Sequence, residues 1–247
     1  MRATLAAFLL FACLPPLNAA TMGAAVGVVN LNEQEAGKGL LRIGKQIPGV
    51  DTAVLRELSS PELVVLRVAF AAGGPVTPLP SKSESFRYLL NGRGVLRNAG
   101  TTAKVGPGAM GLYPAGTSIA FQALEPSIIL AVMPRTPSAK SAGFTLKKQL
   151  APREEPLAAD SEHRETPLMS GGAIAVSRIQ LNGAQTAKYR AETGTIFIVT
   201  EGTVEFQFVG KKIPADGDTL VRIPAGTRYR FSLPAGSSAS LLAITVL

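Results

Sequence analysis

The chain has 247 residues, 46% of them hydrophobic, and a formal net charge of +8 at neutral pH. This is enough apolar material for one large all-β domain or for two smaller ones with cores of their own. The cations are spread along the sequence and form no Lys/Arg run with interleaved aromatic residues, which argues against nucleic acid as a partner. The charge is typical of a basic surface that aids solubility or lies near an anionic cell envelope.

The first twenty residues have the pattern of a signal peptide. Arg2 supplies one positive charge, and an apolar run over residues 5–13 follows it. This run is too short to span a bilayer, and small residues at Ala19 and Ala20 follow it as cleavage positions. The sequence therefore predicts a signal peptide over residues 1–20, a secreted or periplasmic protein and no membrane span.

The single cysteine, Cys13, lies inside the predicted signal peptide. A chain cleaved after it has no disulfide and no catalytic thiol, so its stability must come from the core. An alternative is a lipoprotein whose Cys13 is lipidated. The bulky Phe11 two residues earlier and the single basic residue ahead of the run argue against that alternative.

After the signal peptide, residues 21–57 predict an N-terminal arm, because glycines interrupt its short apolar groups. The segment 63–70 predicts the first long strand, with Val64, Leu66 and Val68 on one face at a period of two. Short β-like runs and Gly/Pro turns continue to about residue 134. No amphipathic helix longer than a few turns competes with these strands.

Residues 135–167 are rich in Pro, Ser, Lys, Glu and Asp, which predicts a linker between two domains. The strand pattern then resumes and repeats. We therefore expect one barrel over residues 58–134 and a second over residues 168–247. Short, evenly spaced strands with Gly/Pro turns are typical of a jelly roll or barrel.

The two predicted domains share turn and core positions at one constant spacing. A match of several anchors at a single offset indicates an internal duplication. The matched pairs, each 110 residues apart, are Gly73 and Gly183, Gly92 and Gly202, Pro114 and Pro224, Gly116 and Gly226, and Phe121 and Phe231.

This skeleton resembles the cupin superfamily, whose two short motifs are built around such Gly and Pro-x-Gly positions. Gly73 to Gly92 and Gly183 to Gly202 have the spacing of the first motif, and Gly108 with Pro114 has that of the second. The resemblance implies an all-β bicupin, two tandem double-stranded β-helix (jelly-roll) barrels. It also implies association between copies through the sheets, as a homo-oligomer.

The positions of the family's metal ligands hold other residue types in this chain, and none is His, Glu or Asp. Transition metals need imidazole, thiolate or carboxylate donors, so we predict no metal and no cofactor. The single histidine, His163, is interpreted as a surface residue of the charged linker. The eight positions are Leu79, Ser81, Ser85, Ile119, Tyr189, Ala191, Thr195 and Tyr229.

Two tyrosine-centred triplets mark the second domain, Lys188-Tyr189-Arg190 and Arg228-Tyr229-Arg230. Strand alternation places the tyrosines on one face and the cations on the other. If the tyrosines face inward, one interpretation is a packed aromatic core. The alternative is a ligand pocket in the C-terminal barrel, and a one-residue slip would instead create an anion pocket lined by the cations. The core residues in the first interpretation include Phe197, Phe206, Phe208 and Phe231; the ligand contacts in the second are Tyr189, Thr195, Phe206 and Tyr229.

These patterns favour a metal-free binding module for a small polar or anionic organic ligand. An alternative from another class is a metal-independent isomerase or lyase acting on a sugar or small acid, with Tyr189, Glu192 and Tyr229 in acid/base roles. Glu84 is a further carboxylate near the vacant histidine positions. A third interpretation is a structural or storage-type interaction protein.

Overall fold

A computed structural model describes residues 25–30, 40–42, 48–80, 83–98, 101–135, 144–148, 163–183, 188–217 and 219–247. The predicted signal peptide and Cys13 lie outside these residues. The chain forms two compact units. The N-terminal unit takes the described residues within Leu40–Ala151 and Gly171–Ala173, and the C-terminal unit takes those within Ala24–Gly39, Pro152–Ser170 and Ile174–Leu247.

The described residues form strands joined by turns, with one three-residue 3-10 helix at Arg56–Leu58. Among these residues, no helix is long and apolar enough to cross a membrane. The strands are β1 (Gly27–Asn30), β2 (Leu40–Arg42), β3 (Val50–Leu55), β4 (Leu63–Phe70), β5 (Thr77–Pro80), β6 (Ser85–Asn91), β7 (Gly94–Asn98), β8 (Thr101–Val105), β9 (Met110–Tyr113), β10 (Ser118–Ala123), β11 (Ser127–Pro134), β12 (Thr145–Lys147), β13 (His163–Ser170), β14 (Ile174–Asn182), β15 (Tyr189–Arg190), β16 (Thr195–Glu201), β17 (Val204–Phe208), β18 (Lys211–Ala215), β19 (Thr219–Ile223), β20 (Arg228–Ser232) and β21 (Ser238–Val246).

Each unit consists of two antiparallel sheets. In the N-terminal unit the larger sheet has the order β12-β9-β6-β11-β4-β3-β2, and the smaller has the order β5-β10-β7-β8. In the C-terminal unit the larger sheet has the order β1-β19-β16-β21-β14-β13, and the smaller has the order β15-β20-β17-β18. Strands at equivalent places in the sequence repeat occupy equivalent places in the sheets. The predicted all-β jelly-roll fold is confirmed.

Each unit has its own hydrophobic core, formed by alternate residues of its strands. In β4, the predicted inward residues Val64, Leu66 and Val68 belong to the core of the N-terminal unit, together with Phe121 from the smaller sheet. Phe231, at the position 110 residues later, belongs to the core of the C-terminal unit. The period-two pattern therefore identified the inner face of β4.

Two segments that were predicted to be irregular contain strands. The predicted arm contains β1, β2 and β3, and β1 pairs with β19 in the C-terminal unit. The predicted linker contains β12, and β13 begins at His163, before the linker's predicted end. Several side chains of β13 remain exposed or half-buried. The composition of β13 therefore resembles that of a linker. The limits of the two compact units, which follow the contacts between residues, differ from the predicted domain limits.

Candidate functional site

The positions that correspond to cupin metal ligands do not fit a metal ion. In the N-terminal unit, Leu79, Ser85 and Ile119 are buried and offer one hydroxyl among them; Ser81 lies outside the described residues. Hydroxyl and hydrocarbon groups are not the donors that a transition metal selects. Within the described ranges, no three side chains of His, Cys, Asp or Glu are grouped so that they could hold a metal.

Tyr189 and Tyr229 stand directly opposite each other on β15 and β20. Their ring centroids are 5.6 Å apart, and both rings pack against the core of the C-terminal unit while remaining half-buried. The tyrosines therefore face inward and the flanking cations outward. The alternative register, with the cations inside, is not adopted.

Beneath the tyrosines, the interior of the C-terminal unit is filled by phenylalanine rings. Phe206 lies 5.4 Å from Phe197 and 5.2 Å from Phe231 between ring centroids, and all three are almost completely buried. Such tilted ring contacts are favourable for aromatic packing. Phe206, a predicted ligand contact, is 0% exposed and serves the core.

Thr195, another predicted ligand contact, is also buried. Its hydroxyl lies 3.3 Å from the carbonyl oxygen of Thr193 and 3.4 Å from the hydroxyl of Thr245. The structure thus brings the four predicted ligand residues into one unit but separates them by depth. Thr195 and Phe206 are interior, and Tyr189 and Tyr229 reach the surface.

His163 is the first residue of β13 and is half-buried. Its ring meets the ring of Tyr189 edge-on, with centroids 5.4 Å apart. Burial lowers the pKa of His163, and nearby Glu165 partly opposes that effect. The prediction of a solvated histidine in a linker is therefore wrong, because the strand that carries it packs against the tyrosines.

The hydroxyl of Tyr229 is a poor candidate for a base. Burial raises its pKa, and the neighbouring Tyr189 and Glu165 raise it further because they disfavour a second negative charge. The phenol stays protonated at neutral pH and can donate a hydrogen bond. Glu192, the predicted carboxylate partner, is an exposed turn residue.

Glu84 has a structural position. Its side chain is buried, and its carboxylate accepts hydrogen bonds from the backbone N–H groups of Gly172 at 2.8 Å and Ala173 at 3.0 Å. A Cβ on Gly171 would lie 2.3 Å from a carboxylate oxygen of Glu84. The carboxylate is therefore enclosed by the segment Gly171–Ala173.

Beside Tyr229, a groove of about 720 Å³ opens on the surface of the C-terminal unit. It exists because β17 pairs with β20 only through Glu205–Gln207, after which the β17–β18 hairpin leaves β20. The residues that line it are Lys188, Gln207, Phe208, Val209, Gly210, Lys211, Lys212, Arg228, Tyr229 and Arg230.

The groove has a large excess of positive charge. Lys212 pairs with Glu205 at 3.2 Å, and the Nε of Arg230 donates to the side-chain oxygen of Gln207 at 2.7 Å. Lys188, Lys211 and Arg228 have no acidic partner among the residues that the structure describes. Sequence reasoning identified the outward cations of β20 but missed Lys211 and Lys212, whose approach depends on the hairpin.

Sequence reasoning also missed a charged residue inside the N-terminal unit. Arg87 lies on β6 with the same parity as Leu89, a core residue, and is 6% exposed. Period-two alternation along β6 was the available signal, because it places Arg87 inward with Leu89.

Comparison with solved structures identifies the fold of this chain. A cupin 2 conserved barrel domain protein from Leptotrichia buccalis matches with a TM-score of 0.68 and 12% identity over 89% of this chain and 96% of its own. AerE from Microcystis aeruginosa matches with a TM-score of 0.63 and 13% identity over 84% and 97%. The chain has a cupin fold.

An oxalate decarboxylase from Bacillus subtilis is also similar, with a TM-score of 0.59 and 12% identity over 89% of this chain and 76% of that protein. At such identities the likeness establishes the fold alone. No family model matches the sequence. No curated protein sequence matches it either.

Proposed function

We propose that this protein is an exported, metal-independent bicupin whose C-terminal barrel binds a small anionic organic molecule in the groove beside Tyr229. The observation that carries the proposal is the convergence of five cationic side chains and a half-buried tyrosine on one groove of about 720 Å³. Small-molecule sites are typically about 300–1,000 Å³ in volume and combine apolar walls with a few polar anchors. Export rests on the N-terminal sequence pattern.

The groove offers a separate partner for each part of such a ligand. Carboxylate or phosphate oxygens would meet the guanidinium of Arg228 and the ammonium groups of Lys188 and Lys211, in charge-assisted hydrogen bonds. The protonated hydroxyl of Tyr229 would donate to a further oxygen. The half-buried ring of Phe208 supplies apolar surface for the carbon skeleton.

The enzyme alternative has less support from the geometry. Acid/base catalysis needs two groups that can exchange protons near the same atom. Tyr229 has a raised pKa, and Glu192 is exposed on a turn. The structural alternative is favoured by the ring packing inside the barrel, and it becomes the conclusion if the groove binds nothing.

Ligand-dependent thermal stabilisation tests the proposal. We expect at least one compound in a panel of small di- and tricarboxylates, sugar acids and sugar phosphates to raise the Tm of the full chain, because a ligand that binds only the folded state stabilises it. The double variant Lys188→Gln/Arg228→Gln should lose the response. Tyr229→Phe should weaken it by removing one hydrogen bond.

A charge-matched control is available in the other unit. Arg97 and Lys104 are exposed on β7 and β8, and the double variant Arg97→Gln/Lys104→Gln should respond as the wild type does. An equal response in the groove variant would place the ligand elsewhere. No response to any compound would favour the structural role.

A further inference from the structure

A buried arginine lies inside the N-terminal barrel, and no acidic side chain of the described residues forms an ion pair with it. The Nη2 of Arg87 donates to the backbone carbonyl oxygen of Leu79 at 2.8 Å, and its guanidinium carbon lies 4.7 Å from the centroid of the Tyr113 ring. Nη1 is buried and makes no hydrogen bond within the described part of the chain. The carbonyl and the ring provide partial charges only, so neither neutralises the cation.

The barrel fold does not require a charge at this position. The equivalent residue of the C-terminal barrel, 110 positions later, is Phe197, which is 1% exposed and packs among other rings. An unpaired charge in such an interior is strongly unfavourable. Although burial lowers the pKa of Arg87 to about 10, the group remains protonated at neutral pH. We therefore expect a negatively charged group to lie next to this arginine.

A small cavity lined in part by Arg87 has room for that partner. The cavity has a volume of about 20 Å³, and roughly 10–15 Å³ suffices for one water molecule. Its described lining includes Arg87, Tyr113, Leu96, Ile119 and Phe121 and contains no aspartate or glutamate. The apolar walls and small volume exclude organic acids and favour a single monovalent ion.

We infer that the N-terminal barrel binds a small monovalent anion of about the size of chloride, held in this cavity by Nη1 of Arg87. The ring of Tyr113 positions the guanidinium by stacking on it. This site is independent of the groove in the C-terminal unit, because it lies in a different core and involves different side chains. It assigns a ligand-binding role to the barrel whose metal positions hold Leu79, Ser85 and Ile119.

Crystals of the full chain grown with bromide in place of chloride test the site directly. We expect an anomalous peak within hydrogen-bond distance of Nη1 of Arg87, since bromide replaces chloride with little change in size. A water molecule at Nη1 in the presence of bromide would overturn the proposal. Bromide bound only at surface cations would do the same.

A solution experiment separates the buried site from general salt effects. The Tm of the full chain is compared in sodium chloride and in sodium methanesulfonate of equal ionic strength, because methanesulfonate is too large for the cavity and carries neither the carboxylate nor the phosphate of the groove's candidate ligands. At a chloride concentration about five times Kd, we expect the wild type to gain about 2–4 °C. The Arg87→Met variant should lose this gain, whereas Arg97→Met, which removes an exposed cation of the same unit, should keep it.

The result stays interpretable if Arg87→Met does not fold. In that event the groove variant Lys188→Gln/Arg228→Gln should retain the full chloride response, which excludes the surface groove as its source. Equal Tm values of the wild type in chloride and methanesulfonate would overturn the proposal. So would a chloride response that disappears in the groove variant.

Discussion

Gly92 and Gly202 show at the scale of single residues why the repeat is visible in the sequence. Both adopt a positive φ, of 80° and 72°. A Cβ on Gly92 would lie 2.3 Å from the carbonyl oxygen of Pro126, and one on Gly202 would lie 2.3 Å from that of Ser238. A side chain is therefore disfavoured at each turn for two reasons. The backbone has a positive φ, and a Cβ would clash with a carbonyl oxygen of another segment.

Replacing Gly92 with alanine should destabilise the protein by about 2–5 kcal/mol, the sum of a left-handed backbone cost and a steric clash. Gly210→Ala is the matched control, because Gly210 has a φ of 73° but no atom within 4 Å of the place that a Cβ would occupy. It should cost only the backbone part, about 1–2 kcal/mol. Urea unfolding of both variants measures the difference, and equal losses would show that the clash relaxes.

Turn residues could be predicted from the sequence more reliably than interior ones. Gly92 and Pro114 follow from local sterics and turn chemistry, so their spacing identified the fold. Thr195, a vacant metal position, and Phe206, an aromatic residue of the second barrel, were predicted as ligand contacts, yet the sequence does not determine how deeply either side chain is buried. Parity also places Arg87 inside, but a charged side chain ordinarily indicates a solvent-facing position, and the sequence does not reveal the cavity beside it.

At the scale of strands, β13 shows how distant pairing overrides local composition. Its sequence is polar and includes Pro167, and it lies at the edge of its sheet, paired with β14. Pairing with β14 gives its backbone hydrogen bonds that the sequence alone cannot reveal. The strand thereby brings His163 and Glu165 toward the two tyrosines.

The lowered pKa of His163 predicts a pH effect on stability. The folded state favours neutral imidazole, so the unfolded state binds a proton more readily as the pH falls below about 6.5. The stability present above that pH should decline as the pH falls below about 6.5. His163→Phe keeps a ring against Tyr189 without a titrating group, and should flatten this decline.

Urea unfolding midpoints of the wild type and His163→Phe at several pH values measure that effect. The midpoint difference between the two proteins should change across the range, in favour of the variant at the acid end. Parallel profiles would mean that His163 titrates alike in the folded and unfolded chains.

At the scale of the whole molecule, two barrels with one skeleton are filled in different ways. Leu96 and Ile119 in the N-terminal barrel correspond to Phe206 and Tyr229 in the C-terminal barrel, 110 residues later. The larger rings fill the second interior, and the smaller side chains accompany the cavity beside Arg87 in the first. The two copies thus retain their turns while differing in what their interiors can hold.

Truncation of a core ring should affect the unit that contains it. Phe206→Ala should cost about 3–5 kcal/mol, the usual loss for a buried phenylalanine, and Phe208→Ala should cost less because Phe208 is half-buried. Hydrogen exchange should increase in peptides of the C-terminal unit, which has its own core. A uniform increase in both units would show that they unfold together.

The pairing of β1 with β19 has a consequence for the order of events during synthesis. Gly27 stands opposite Arg222, and the guanidinium of Arg222 donates to the carbonyl oxygen of Ala25 at 2.7 Å. At roughly 5–20 residues per second, a ribosome needs about 10–40 s to make the intervening chain. Strand β1 therefore has no β19 to pair with until that strand has been translated, and the C-terminal sheet cannot be completed before then.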